Sequence, residues 1–433
     1  MSGATLVWLR NDLRLTDNPA LAAATARGGP VTAVYLHVTS AGVRPHGGAA
    51  RWWLHRSLQS LEMAMAEQGI GLEVIEGDAA VLMPALARRA GADAVYWNRR
   101  YAPGERLVDE GVSAAIQAEG LKAETFTGNV LAEPWEIATQ QGKPYSVFTP
   151  FFRALRSRSV AVPLQAPTAG SPRAARTVDE GYREPHWAGK LARHCQPGET
   201  TAQAALERFL AEKLTAYALG RDVPSQSATS QLSPRLRHGE ISPRQVWHAA
   251  LAAAQQERGL HDAVEKFLSE LAWRDFSYHQ LYHRADIATE PMQPKYGGLR
   301  WREAADDLFA WQQGRTGIPM VDAGMREMWE TGFMQNRVRM LTASFLTKNL
   351  LIDWRIGERW FWDCLVDADV ANNPASWQWI AGSGLDATPY FRIFNPVTQG
   401  ERFDPDGGYV RRWVPELAAL PDKWVHRPHE APA

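Results

Sequence analysis

The chain has 433 residues, 45% hydrophobic and 22% charged, with a net charge of −1. That length exceeds one ordinary core and predicts two domains. The charge balance argues against coating nucleic acid through a global positive field, though it leaves room for a local basic patch.

Two cysteines, Cys195 and Cys364, stand far apart and outside any metal-ligand spacing. A disulfide framework and a structural metal site are therefore not expected, which fits a reducing cytoplasm. The opening MSGATLVWLR lacks a basic segment followed by a long apolar run, and no uncharged stretch is long enough to cross a bilayer.

In chain order, β-rich apolar runs at 5–10, 31–38, 72–77, 92–97 and 122–127 alternate with helical patterns over Arg51–Gln68, Asp78–Ala90 and Glu105–Glu119. This alternation predicts an α/β domain over 1–130, a parallel sheet with helices on both faces. No G-x-G-x-x-G follows the first run, so the usual dinucleotide device is not expected. Residues 131–198, which include PLQAPTAGSPRAAR, read as an interdomain linker. Beyond them strand signals fade. Helical patterns over Thr201–Ala218, Ser242–Glu257, Asp262–His283, Trp301–Gln312, Pro319–Thr331 and Arg337–Asp353 predict an all-α domain over 199–433.

The helical half carries polar and aromatic strings that a plain bundle does not require: TSQLS (229–233), SELAWRDF (269–276), FMQNRVRM (333–340), DADVANNPASWQW (367–379) and TPYFRIFNP (388–396). Each has an ordinary reading. Asp and Asn before Pro374 can cap a helix; a Thr/Ser string is usually a solvated turn; most of the 18 tryptophans build cores. Taken together, in this order and spacing, and with LVWLRNDLRLTDNPAL (6–21), they resemble the photolyase/cryptochrome family over almost the whole chain.

The resemblance implies an antenna-binding α/β domain and a helical domain that holds FAD in a U shape and binds DNA. It places Asp367 and Asp369 at the isoalloxazine and ribityl groups, with Arg339 paired to Asp367, and Asn373 opposite flavin N5. An amide there can accept from a protonated N5 or donate to an unprotonated one. Tyr217 and Thr229, Ser230, Gln231, Leu232 and Ser233 match the phosphate-binding segment; Gln231 stands where a basic or similarly polar residue is usual. Glu270, three residues from Trp273 on one helical face, matches the Glu that binds the lesion's carbonyls. An apolar wall raising its pKa would let it donate a hydrogen bond to the reduced lesion. Trp273 and Trp379 would wall the lesion pocket, completed by Asn336 and Met340.

Relatives that repair (6-4) photoproducts carry His at both of the latter positions, so Asn336 and Met340 favour cyclobutane pyrimidine dimers. Phe333 and Gln335 stand where Trp and His are usual. Trp377, Trp354 and Trp301 match an electron relay that photoreduces the flavin. Arg221, Arg337, Arg392 and Gln399 lie in strings that line the DNA face. Enzymes that work on a base, photolyases among them, take it out of the stack.

For the antenna, Glu105 matches a folate contact, with Gly104 where Asn is expected beside it. Trp52 or Trp53 could stack on a pterin or pack their helix. The pigment expected is 5,10-methenyltetrahydrofolate, with a deazaflavin or an empty site as the alternatives. The activity implied is light-driven repair of UV-damaged DNA by a cytoplasmic monomer, without metal or membrane, using fully reduced FAD. The rival is a cryptochrome-type photoreceptor without repair, which usually carries a long C-terminal extension that this sequence does not show.

Overall fold

The structure, a computed structural model, describes residues 3–167, 170–176, 178, 181–386 and 393–432. The first half builds β1 (Ala4–Leu9), α1 (Pro19–Ala26), β2 (Val31–Val38), α2 (Gly48–Glu67), β3 (Gly71–Gly77), α3 (Ala79–Arg89), β4 (Ala92–Asn98), α4 (Pro103–Ala118) and β5 (Lys122–Phe126). All strands pair in parallel in the order β3-β2-β1-β4-β5.

Side chains alternate across each strand, so Val7 and Leu9 pack with α1 and α2 while Leu6 and Trp8 pack with α3 and α4. Both faces are thereby covered. The strand order reverses between β1 and β4, where such sheets open a crevice at the strands' carboxyl ends. The Arg10 guanidinium lies 4.3 Å over the buried Trp8 ring and pairs with Asp109 at 3.3 Å.

The remainder is helical: α5 (Phe148–Arg156), α6 (Glu199–Glu212), α7 (Tyr217–Gly220), α8 (Ser233–His238), α9 (Pro243–Gln256), α10 (His261–His283), α11 (Ala305–Gln312), α12 (Pro319–Thr331), α13 (Asn336–Ser344), α14 (Trp354–Cys364), α15 (Asn372–Ala381), α16 (Pro396–Phe403), α17 (Gly408–Trp413) and α18 (Asp422–Val425). Two cores result. One joins α5, α6, α9 and α10; the other joins α11 to α15 with parts of α17 and α18.

Two expectations change. The first 30 residues of the supposed linker are not a tether: Leu131, Phe148, Phe151, Leu155 and Val160 are buried in the core with Phe209, Trp247 and Phe276. The amphipathic FTPFFRALR helix docks its apolar face there. The helix expected over Arg337–Asp353 leaves α geometry after Ser344 and widens into a π turn, Phe345–Asn349. Lys348 is thereby brought onto the end of α15, donating to the Ala381 carbonyl at 2.6 Å. Among the described residues no helix is long and apolar enough to cross a membrane.

Candidate cofactor and substrate cavity

A cavity of about 680 Å³ opens between the two helical cores, lined by α10 on one side and by α13, α15 and the loop before α15 on the other. It lies within the roughly 300–1,000 Å³ of small-molecule sites. Its floor comes from the turn entering α15. Asp369 accepts from the backbone N–H groups of Ala371 and Asn372, at 2.8 and 2.5 Å. It thus starts the helix, and Pro374 falls in the first turn, where no donor is lost.

Asp367 is held bidentately by Arg339 at 3.0 and 2.9 Å and accepts from Ser233 Oγ at 2.6 Å. Its charge is therefore compensated although its side chain is only 3% exposed. Asn373 spends both amide hydrogens on Glu358, at the carboxylate (2.8 Å) and the backbone carbonyl (3.0 Å). Its own carbonyl oxygen remains as the acceptor. From the α/β half, Asn11 and His46 grip Arg237, which in turn donates to Ala368 O at 2.8 Å.

Tyr217, Ser230, Leu232 and Ser233 line this cavity. Thr229 and Gln231 instead face a neighbouring cavity of about 420 Å³, which Ser230 also borders. Gln231 holds a φ of +52°, a left-handed conformation uncommon outside glycine and asparagine.

At the mouth stand Glu270, Trp273, Asn336, Met340 and Trp379, all on the cavity wall. Asn336 and Met340 share one face of α13, with Asn336 Nδ2 3.9 Å from Met340 Sδ. Phe148 stacks on Trp273, centroids 3.7 Å apart and planes within 8°. This partner comes from the segment read as linker, and only its aromatic character was visible beforehand.

Glu270 departs from expectation. Burial alone would raise its pKa, but Arg221 and Lys266 (Nζ at 2.7 Å) both hydrogen-bond it, and the net shift is downward. In this state it is an acceptor, not a donor. Arg337 pairs with Asp222 at 2.8 Å, and both arginines border the cavity. Gln335 organises this corner: its Oε1 caps α13 at Arg337 N and Val338 N, and its Nε2 donates to the Arg221 carbonyl. Phe333 lies under Arg339, 5.1 Å from guanidinium to ring. Gln399, on α16, is half-buried; Arg392 lies outside the described residues.

Trp377 lines the cavity and packs edge-on to Phe361 at 4.9 Å. It also packs against Gly357, where a Cβ would overlap the indole. Trp354, at the start of α14, is buried in the same cluster, and Trp301 packs half-buried against it.

The α/β candidates fare otherwise. Glu105 Oε2 accepts from Ala102 N at 3.3 Å, capping α4. A Cβ on Gly104 would overlap the Gly42 carbonyl, so no asparagine fits there without a shift. Trp52 and Trp53 are 1% and 3% exposed, packed with Ala188, Leu191 and Val366, and Trp53 Nε1 donates to Glu240 at 2.9 Å. They fasten α2 to the helical half, with Trp53 also bordering the cavity of about 420 Å³.

Residues 5–169 match the family model described as DNA photolyase, and residues 267–433 that of the FAD binding domain of DNA photolyase. The chain is 46% identical to a deoxyribodipyrimidine photo-lyase of Agrobacterium fabrum, covering 99% of this chain and 90% of that protein. It is 35% identical to cryptochrome-1 of Arabidopsis thaliana, covering 99% and 65%. The crystal structure of a bacterial class III photolyase from Agrobacterium tumefaciens superposes with a TM-score of 0.94 at 44% identity, covering 100% of this chain and 90% of that one.

Proposed function

The chain belongs to the DNA photolyase family, and on that premise we propose that it is a deoxyribodipyrimidine photo-lyase that repairs cyclobutane pyrimidine dimers in DNA. The observation that carries this reading is the arrangement of one cavity: Glu270, Trp273, Asn336, Met340 and Trp379 at its mouth, Asp367, Asp369 and Asn373 at its floor.

The floor fits a flavin nucleotide by its chemistry. Asp367, compensated by Arg339, can accept from a ring N–H without carrying an unpaired buried charge. The Asn373 carbonyl suits a protonated N5. When bound, reduced FAD supplies on excitation the electron that opens the cyclobutane ring and takes it back afterwards.

The protein's part is orientation and electrostatics. Trp273, backed by Phe148, and Trp379 offer flat apolar walls for a flipped dimer. Glu270, held ionised by Arg221 and Lys266, can accept from base N–H groups, and the two cations beside it favour negative charge on the dimer. Arg221 and Arg337 stand ready for phosphates and would position the strand without reading sequence. Trp377, Trp354 and Trp301 serve photoreduction of the cofactor rather than repair.

For the antenna we place a folate-type pigment at Trp329 and Trp360. Their rings are parallel within 1° with centroids 6.2 Å apart, Lys190 Nζ lies 3.8 Å over Trp329, and Trp329 is half exposed. Parallel indoles beside an ammonium suit a planar, anionic pterin conjugate. Trp329→Ala should purify without the pigment's near-UV band; retention of the band would sink this placement.

The decisive test illuminates purified, reduced protein with a dimer-containing oligonucleotide and follows recovery of thymine absorbance. No light-dependent recovery with FAD bound refutes repair and leaves the photoreceptor reading.

A further inference from the structure

The loop after β2 docks on α14. Arg44 Nη1 and Nη2 reach Glu358 Oε1 and Oε2 at 2.6 and 2.9 Å. The same guanidinium lies 3.8 Å over the Trp362 ring. Trp362 Nε1 donates to Pro45 O at 2.9 Å, and Gly48 N donates to Asp363 Oδ1 at 2.8 Å. At Gly47 a Cβ would overlap the Trp362 carbonyl, so the two backbones meet directly.

Glu358, with a side chain 3% exposed, sits between this loop and the cavity floor. The carboxylate oxygen facing Arg44 Nη1 also accepts from Asn373 Nδ2. Arg44, separated from Glu358 by 314 positions in sequence, therefore stands two contacts away from the amide that lines the cavity.

We propose that Arg44 is a positioning residue for the flavin end of the cavity, acting through Glu358 to fix which way the Asn373 amide points. The inference rests on the proposed seating of FAD with N5 toward Asn373. An amide turns over easily unless its neighbours distinguish oxygen from nitrogen. Here both amide hydrogens meet acceptors on Glu358. Turning the amide over would set its oxygen against a carboxylate and a carbonyl. The carboxylate half of that preference depends on Arg44, which hydrogen-bonds both carboxylate oxygens and keeps Oε1 within reach of Asn373 Nδ2.

Without Arg44, the Glu358 carboxylate would lose the partner that fixes it under Asn373, and the amide, left with one of its two acceptors, could turn and present its NH2 to the cavity. An amide oxygen can accept from N5–H, as reduced flavin carries; an NH2 favours the oxidised form. The α/β half thus biases the cofactor's redox state from outside the cavity.

The test uses full-length, FAD-loaded protein without DNA. After anaerobic reduction, air is admitted and re-oxidation of the bound flavin is timed by absorbance, with FAD content and melting temperature as controls. Arg44→Gln should re-oxidise about tenfold faster, the scale of one lost charge-assisted contact. Arg44→Lys should restore most of the delay, and Arg44→Gln added to Glu358→Gln should change nothing further.

A wild-type rate in Arg44→Gln with FAD retained overturns the proposal. So does an equal acceleration in Asp363→Ala, which removes the acceptor of Gly48 N beside the same loop and leaves Glu358 paired. Should Arg44→Gln lose FAD, Glu358→Gln decides: faster re-oxidation supports the proposal, and a wild-type rate overturns it. No dimer is present, so a protein that holds FAD but repairs nothing still gives a readable result.

Discussion

Phe148 was not recognisable as a site residue, and its removal is the sharpest test of how the lesion pocket is built. It covers one face of Trp273 at 3.7 Å and is itself braced by Phe152 and Phe276, at 5.7 and 5.9 Å. Phe148→Ala removes a buried ring, so the fold should lose about 3 kcal/mol. The functional effect is separate and smaller.

Freed of its backing, Trp273 must be ordered again whenever a ligand stacks on it, which costs roughly 0.5–1.5 kcal/mol for one immobilised side chain. At about 1.4 kcal/mol per tenfold, dimer affinity in the dark should fall about two- to twelvefold. Phe148→Leu, which keeps most of the volume, should lie between. The assay is fluorescence anisotropy with dimer-containing and undamaged oligonucleotides of one sequence. Affinity for undamaged DNA should not change, because no base is stacked there. Equal weakening of both, or of neither, with the protein still folded, would refute the role given to Phe148.

Other outcomes follow from the same geometry. Glu270 has a lowered pKa, so the stability it contributes is complete above its unfolded value and disappears as pH falls through the lower folded one. Lys266→Met removes one of the two cations. The carboxyl titration, followed by NMR, should move to higher pH, and an unchanged titration would mean that Arg221 alone sets it. Gly104→Asn must push the Gly42 backbone aside, and overpacking of this kind costs roughly 1–3 kcal/mol; a melting temperature equal to wild type would show that the loop yields freely. Trp377→Phe should abolish photoreduction while chemically reduced protein still repairs, and loss of both would mean that this indole shapes the cavity as well.

What the sequence disclosed and what it hid divide along physical lines. Local signals were enough for β2 and α12, whose observed bounds, Val31–Val38 and Pro319–Thr331, match the pattern-based ones. In α12, Pro319 opens the helix and Gly332, at φ +70°, ends it. The π turn at Phe345–Asn349 has no comparable signal, and the contact that accompanies it, from Lys348 to a helix end 33 residues on, is long-range. Glu270 shows the same split. Lys266, four residues earlier on one helix, stands at the i,i+4 spacing of a helical ion pair, although only the structure brought it into the reading. Arg221 has no such local signal, and the two together reverse the sign that burial alone predicts. Trp52 and Trp53 could have been pigment platforms or packing; only the arrival of Leu191 and Val366 from the other half decides for packing.

The near-neutral net charge raised a difficulty for a DNA-binding role, and the mouth of the cavity suggests how it is met. Arg221 and Arg337 are pre-paired with Glu270 and Asp222. A cation already neutralised by a carboxylate gains less by meeting a phosphate, since part of its attraction is spent internally. On the proposed function, weak affinity for intact duplex should follow. A flipped dimer would change this if its base N–H groups compete for Glu270 and loosen the hold on Arg221, freeing it for the phosphate beside the lesion. Discrimination would thus arise where ligand and cation share one carboxylate, and it should appear as a steeper salt dependence for dimer-containing than for intact DNA. Equal salt slopes would mean that the two arginines bind phosphate identically in both complexes, and discrimination would then rest on the stacking walls alone.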